Sequence, residues 1–158
     1  MIIILKFNNL GEIIMNIYFK ISIICVSLLF IFFRSVVAEE YTMSNALKYD
    51  ITKSVETADG PFMGLVVEGV WTDSRGNKGS IVCVGYRGKE LVAHCNATDQ
   101  DGDVQYSSAK RGGTEGKSTT HGGTGKYENA TGGCSYQVDA FDKEILVGLI
   151  SLQCSDNK

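Results

Sequence analysis

Proline is almost missing from this sequence: Pro61 is the only one in 158 residues. It stands at the entrance of an apolar run, where a missing N–H costs a strand little. Helical periodicity is equally scarce. Beyond residue 38 no stretch repeats its apolar residues at 3.6-residue spacing, which argues against a helical fold. No basic cluster or stripe occurs, so the electrostatic footprint of a nucleic-acid binder is absent. No C-x-x-C pair occurs, and the cysteine spacings are long for a zinc site. No G-x-S-x-G elbow offers the usual setting for Ser-His-Asp hydrolysis.

Long apolar runs are also lacking. The longest uncharged one, Ile21–Phe33, has 13 residues, against about 20 for a comfortable membrane span. Lys20 precedes it and Ser35-Val36-Val37-Ala38 follows. A basic residue, an apolar run and small residues at the −3 and −1 positions of a cut make a secretory signal peptide. Residues 1–38 are therefore expected to be removed, leaving residues 39–158 as one domain with no span after cleavage. Met15 opens a more conventional signal, an alternative start that would leave residues 1–14 untranslated. Cys25 reads as an apolar member of the signal core. Three basic residues and one acidic residue precede Glu39, so the net charge of −3 becomes −5 in the mature chain.

Four cysteines remain after cleavage: Cys83, Cys95, Cys134 and Cys154. An even count in an exported chain reads as two disulfides. Three pairings are possible. Cys83–Cys95 and Cys134–Cys154 are preferred because each pair flanks a hairpin turn and shares parity, as residues on one face of paired strands must.

Period-2 patterning dominates what is present. Strands are expected near Ala46–Val55, then over Phe62–Thr72, Ser80–Tyr86, Leu91–Thr98, Val104–Ser108, Cys134–Phe141 and Glu144–Cys154, with glycine or Asx turns between them. Short strands at such regular spacing suggest an all-β sandwich or barrel. Closure removes exposed edges. The expected architecture is a single antiparallel barrel, closed or nearly closed, of about eight strands.

The glycine-rich stretch RGGTEGKSTTHGGTGKYENATGG, residues 111–133, tests a nucleotide reading. A phosphate loop reads G-x-x-x-x-G-K-[ST]. Gly116-Lys117-Ser118 supplies its end, but the opening glycine is replaced by Arg111. Around Gly125-Lys126, Tyr127 stands where a small hydroxyl belongs and Thr120 where the first glycine belongs. No helix pattern follows to hold a phosphate on its N-terminus. The glycines are instead expected at strand ends and bulges. No nucleotide and no cofactor is expected.

GGTGKYENATGGCSY, residues 122–136, resembles a theme of small exported β-barrels, the allene oxide cyclase and dirigent-like proteins. The theme is G-G-T-G-K-Y, a short insert, then T-G-x-x-x-Y. Bacterial exported proteins pair it with a T-D-x-D-G-D segment, here residues 98–103. The resemblance covers residues 95–154 and implies an eight-stranded, calycin-type barrel. In allene oxide cyclases the lumen holds a lipid epoxide, and in dirigent proteins it orients coupling phenoxy radicals. No catalytic residue of either family maps onto a position here, so the activity does not carry over.

Other constellations have simpler readings. Asp99, Asp101 and Asp103 alternate as calcium ligands can, but glycine falls at position 4, not 6, and no glutamate closes a loop. Asp-Gly between two β runs is first a turn. His94 and His121 would suit acid–base chemistry only if brought together. Asn96-Ala97-Thr98 and Asn129-Ala130-Thr131 are glycosylation acceptors in a eukaryotic secretory pathway. Trp71, with Phe62, Tyr86, Tyr106, Tyr136 and Phe141, supplies a barrel core or an aromatic pocket. The functional expectation is an exported, non-catalytic barrel, periplasmic or extracellular, binding a small apolar ligand or a protein partner. The alternative is a cyclase or dirigent-type enzyme that orients a reactive substrate in its lumen.

Overall fold

The computed structural model describes residues 38–157. The expected signal peptide, Met15 and Cys25 lie outside the described residues, apart from Ala38. Eight strands follow one another: β1 (Glu39–Thr57), β2 (Gly60–Asp73), β3 (Lys78–Arg87), β4 (Leu91–Asp99), β5 (Val104–Gly112), β6 (Glu115–Gly123), β7 (Thr131–Asp142) and β8 (Val147–Asn157). A single 3-10 turn, Gly125–Tyr127, sits between β6 and β7. Each strand pairs antiparallel with the next, and β8 closes onto β1 from Glu39↔Asp156 to Lys48↔Val147. Closure leaves no strand without two neighbours, which is the physical gain over an open sheet.

Period-2 alternation sorts each strand into two faces. In β4, Leu91, Ala93, Cys95, Ala97 and Asp99 are buried, while His94 and Asn96 are exposed. In β8, Ile150, Leu152, Cys154 and Asp156 point inward between exposed neighbours. Cys83 and Cys95 sit directly opposite each other on β3 and β4 and form a disulfide. Cys134 and Cys154 do the same on β7 and β8. Both pairings follow the parity expected for cross-strand partners.

One strand was not apparent from the patterning. Glu115–Gly123 forms β6 although it has no large apolar residue. It holds its place by ladder pairing to β5 and β7 on both sides. A bulge lets it turn the corner: Gln105 and Ser107 face Gly123 and Thr120, so β6 carries one extra residue, and Gly122 there has φ 88°. Positive φ at a bulge is a glycine position. The glycines of residues 111–133 thus serve strand ends and bulges, as expected, with a whole strand among them.

The meander puts alternate turns at opposite ends of the barrel. The β1–β2, β3–β4, β5–β6 and β7–β8 turns share one end, called here the turn end. The other end carries the β2–β3, β4–β5 and β6–β7 loops and both chain ends of the barrel. Beyond a bulge at Thr52, the β1–β2 hairpin runs past the body of the barrel, with residues 50–59 exposed.

Candidate functional site

Inward-facing side chains fill most of the lumen. Leu47, Tyr49, Leu65, Val67, Leu91, Ile150 and Leu152 form the apolar cluster, together with the disulfide sulfurs. The filling is uneven. Ala93, Ala97, Ser107, Ala109 and Ser118, on β4 to β6, are too small to meet the large side chains opposite. A cavity of about 90 Å³ remains between them, lined also by Asn45, Trp71, Arg111, Thr120 and Tyr136. One wall is therefore apolar and the other carries hydroxyls and amides. Gln105 Nε2 donates to Thr120 Oγ1 at 3.4 Å on that polar wall.

The cavity has one polar atom without a match, Asn45 Oδ1, and one buried cation with no carboxylate beside it, Arg111. Asn45 is 7 % exposed, and its Oδ1 is buried with no hydrogen-bond partner among the described residues. Arg111, near the turn end, is 8 % exposed. Its guanidinium carbon lies 6.0 Å from the Tyr49 ring centroid. Burial pushes the Tyr49 phenol up, and the Arg111 charge and its hydrogen bond to the phenol offset part of that rise. Burial also raises the Tyr136 phenol, again against the pull of Arg111. Tyr136 lies flat against Gly116, where an added Cβ would sit 2.3 Å from its ring. Glycine at 116 is what lets this ring occupy the lumen.

The opposite end is closed by a buried ionic network. Tyr41 Oη donates to Asp156 Oδ2 at 2.8 Å, and Asp156 is 2 % exposed. The Arg75 guanidinium stacks on the Tyr41 ring at 3.4 Å and pairs with Asp73 Oδ2 at 2.9 Å. Asp73 also accepts from the backbone N–H groups of Arg75 and Asn77 at 3.0 and 2.9 Å. Burial alone would raise the Asp73 carboxyl, but these hydrogen bonds and the Arg75 charge hold it below the usual range. Burial and the neighbouring Asp156 carboxylate raise the Tyr41 phenol.

Asp99, Asp101 and Asp103 meet at this same end, in the β4–β5 turn. Asp99 Oδ1 accepts the N–H groups of Asp101 and Asp103 at 2.8 and 3.1 Å. Lys126 Nζ lies 2.6 Å from Asp99 Oδ2 and 3.0 Å from Asp101 Oδ2. An ammonium thus occupies the position between carboxylates that a cation would need. Among the described residues, no group of three His, Cys, Asp or Glu side chains could hold a metal.

The two histidines do not form a pair in the lumen. His94 and His121 are both exposed on the outer face. His121 Nε2 meets Ser108 Oγ at 2.8 Å, and Ser108 is the register partner of His94. Asn96 lies on the exposed face of β4, and Asn129 in the exposed loop before β7. Of the aromatic set, Trp71 and Tyr136 line the lumen. Phe62 and Tyr86 stack on each other outside at 5.2 Å, and Tyr106 and Phe141 are exposed. Asn45 did not stand out in the sequence, and Arg111 did so only as the residue that breaks a phosphate-loop pattern. The parity of β5, which carries Ser107, Ala109 and Arg111 on one face, is the signal that places Arg111 inside.

No family profile matches the chain, and no curated protein matches it in sequence. Among solved structures it is similar to that described as the pterocarpan synthase dirigent protein GePTS1, with a TM-score of 0.51 at 12 % identity, over 78 % of this chain and 87 % of that one. At that identity the likeness concerns the fold: this chain is a dirigent-like, eight-stranded antiparallel barrel.

Proposed function

We propose that this protein is exported and holds one small, mainly apolar molecule in its barrel lumen without chemically changing it. One observation carries the reading. Three alanines and two serines leave a void of about 90 Å³ in an otherwise packed interior. A void of that size costs up to about 2 kcal/mol at ~24 cal/mol per Å³, a large share of a typical net stability of about 5–15 kcal/mol. One leucine at position 109 would fill much of it. A barrel that only needed to be stable would gain from that exchange, so the open space supports a ligand site. Export is supported by the two disulfides, which persist in oxidising compartments.

A second reading follows from Asn45. An unmatched acceptor inside an apolar lumen is the kind of group that orients a reactive substrate, which would suit a cyclase or dirigent-type enzyme. A third rests on Val70 and Val84, each 61 % exposed on the outer face, which would suit a protein partner. Native mass spectrometry of the protein purified from its own host separates these. The lumen-binding reading expects one non-covalent small molecule per chain, released unchanged on denaturation and absent from Ala109→Leu. A bare chain, or a ligand retained by that variant, would refute it.

A further inference from the structure

Among the described residues, Arg111 is the only strongly basic side chain that lines the lumen cavity, and it has no acidic partner there. Buried charges are paired as a rule, because an uncompensated one is costly. Two acids of the same end are engaged on the outer surface: Glu90 pairs with Lys110 at 2.8 Å, and Asp59 with Lys89 at 2.9 Å. Among the described residues no carboxylate lies within ion-pair distance of Arg111. Arg87 adds further positive charge toward Tyr49 from the same end. The Tyr49 phenol hydrogen-bonds Arg111 but, being neutral, does not cancel its charge, and Asn45 Oδ1, on the wall of the same cavity, is an unmatched acceptor. The cavity therefore presents a cation toward the turn end, an apolar body and a lone acceptor.

We propose that the lumen ligand is a small monocarboxylate whose charge pairs with the Arg111 guanidinium and whose aliphatic body fills the space between Ala93, Ala97 and Ala109. This rests on the lumen-binding reading and narrows it to a chemical class. A guanidinium offers two parallel N–H donors that match a carboxylate. The void of about 90 Å³ is smaller than the ~150 Å³ cavity that admits benzene, so the body is a short or branched aliphatic chain. Asn45 Oδ1 would accept from a hydroxyl or N–H on that chain, or from a water carried in with it.

The test is a nuclear magnetic resonance titration of the exported protein with butyrate and with 1-butanol, following the methyl groups of Ala93, Ala97 and Ala109. Butyrate is expected to shift these signals saturably and to bind at least about tenfold tighter than 1-butanol, as expected for one charge-assisted contact. Arg111→Met is expected to weaken butyrate about 10- to 100-fold and leave 1-butanol within about twofold. Arg111→Lys keeps a positive charge and is expected to keep the preference for the anion. The wild-type ratio decides the matter even where a variant fails to fold. Equal binding of acid and alcohol would overturn the charge pairing and leave the lumen site standing. Shifts confined to surface lysines, or no lumen shifts with either probe, would overturn both.

Discussion

Tyr41 on β1 donates its phenolic hydrogen to Asp156 on β8 at 2.8 Å, which makes the seam of the barrel a charge-assisted bond as well as a ladder. Removing the hydroxyl with Tyr41→Phe leaves a 2 % exposed carboxylate with one partner fewer. Hydrogen bonds to charged groups are worth about 1.5–3 kcal/mol, and a loss in that range is expected. Urea unfolding should show a lower midpoint with an unchanged slope. An unchanged midpoint would mean that Arg75, 3.7 Å from Asp156, already carries the seam.

Asp73 and Asp99 set the acid limb of stability. For Asp99, burial pushes the carboxyl up, but Lys126 and the N–H groups of Asp101 and Asp103 hold it below its usual value. Asp73 behaves alike. A lowered folded-state pKa means that the unfolded chain binds protons first. The stabilisation is complete above the ordinary aspartate value of about 3.9 and is lost as pH falls through the depressed values. The melting temperature should be flat from neutral pH to about 5 and fall steeply below about 4. Asp99→Asn should shallow that fall. An unaltered acid limb in the variant would exclude Asp99 as a source.

Tyr127 should resist alkaline titration. Its phenol is pushed up to about 12, first by burial and then by the balance between Lys126, which lowers it, and Asp99, which raises it. A raised folded-state value favours the neutral phenol, so this stabilisation is full below the unfolded value of about 10 and is lost as pH rises through the folded one. Part of the ultraviolet phenolate absorbance should appear only as the barrel opens, together with the loss of its circular dichroism. Tyr127→Phe should remove one late-ionising group. Complete ionisation near pH 10 with the fold intact would contradict the buried placement.

The two disulfides close loops with separations of 12 and 20 residues. The chain-entropy account gives about 3 kcal/mol for each, slightly more for the longer loop. Cys134→Ala/Cys154→Ala should therefore cost a little more than Cys83→Ala/Cys95→Ala in guanidinium unfolding. The reverse order would point to native-state packing, because Cys83 and Cys95 both belong to the buried cluster.

Much of this fold was legible because alternation speaks directly of a two-faced strand. Leu91–Thr98 shows it residue by residue, and the shared parity of each cysteine pair gave both bridges. β6 was not legible because a strand made of Gly, Ser, Thr and Lys has no apolar face to announce it, and its neighbours hold it. The site was less legible still. Arg111 stood out only as a residue where a phosphate loop needs glycine, and its meaning depends on being inside a closed sheet. Lys126 was read as half of a failed loop motif, while its folded role is to bridge Asp99 and Asp101. A cross-chain ion pair of this kind has no sequence spacing to betray it.

Trp71, the single tryptophan, lines the lumen, so its emission reports directly on whether that space takes a ligand. Titration with butyrate should change Trp71 emission saturably in the wild-type protein. Ala109→Leu should abolish the change while raising stability by up to about 2 kcal/mol, the cost of the void it fills. A response that is linear and equal in both proteins, or a less stable Ala109→Leu variant that still responds, would contradict a ligand-holding lumen.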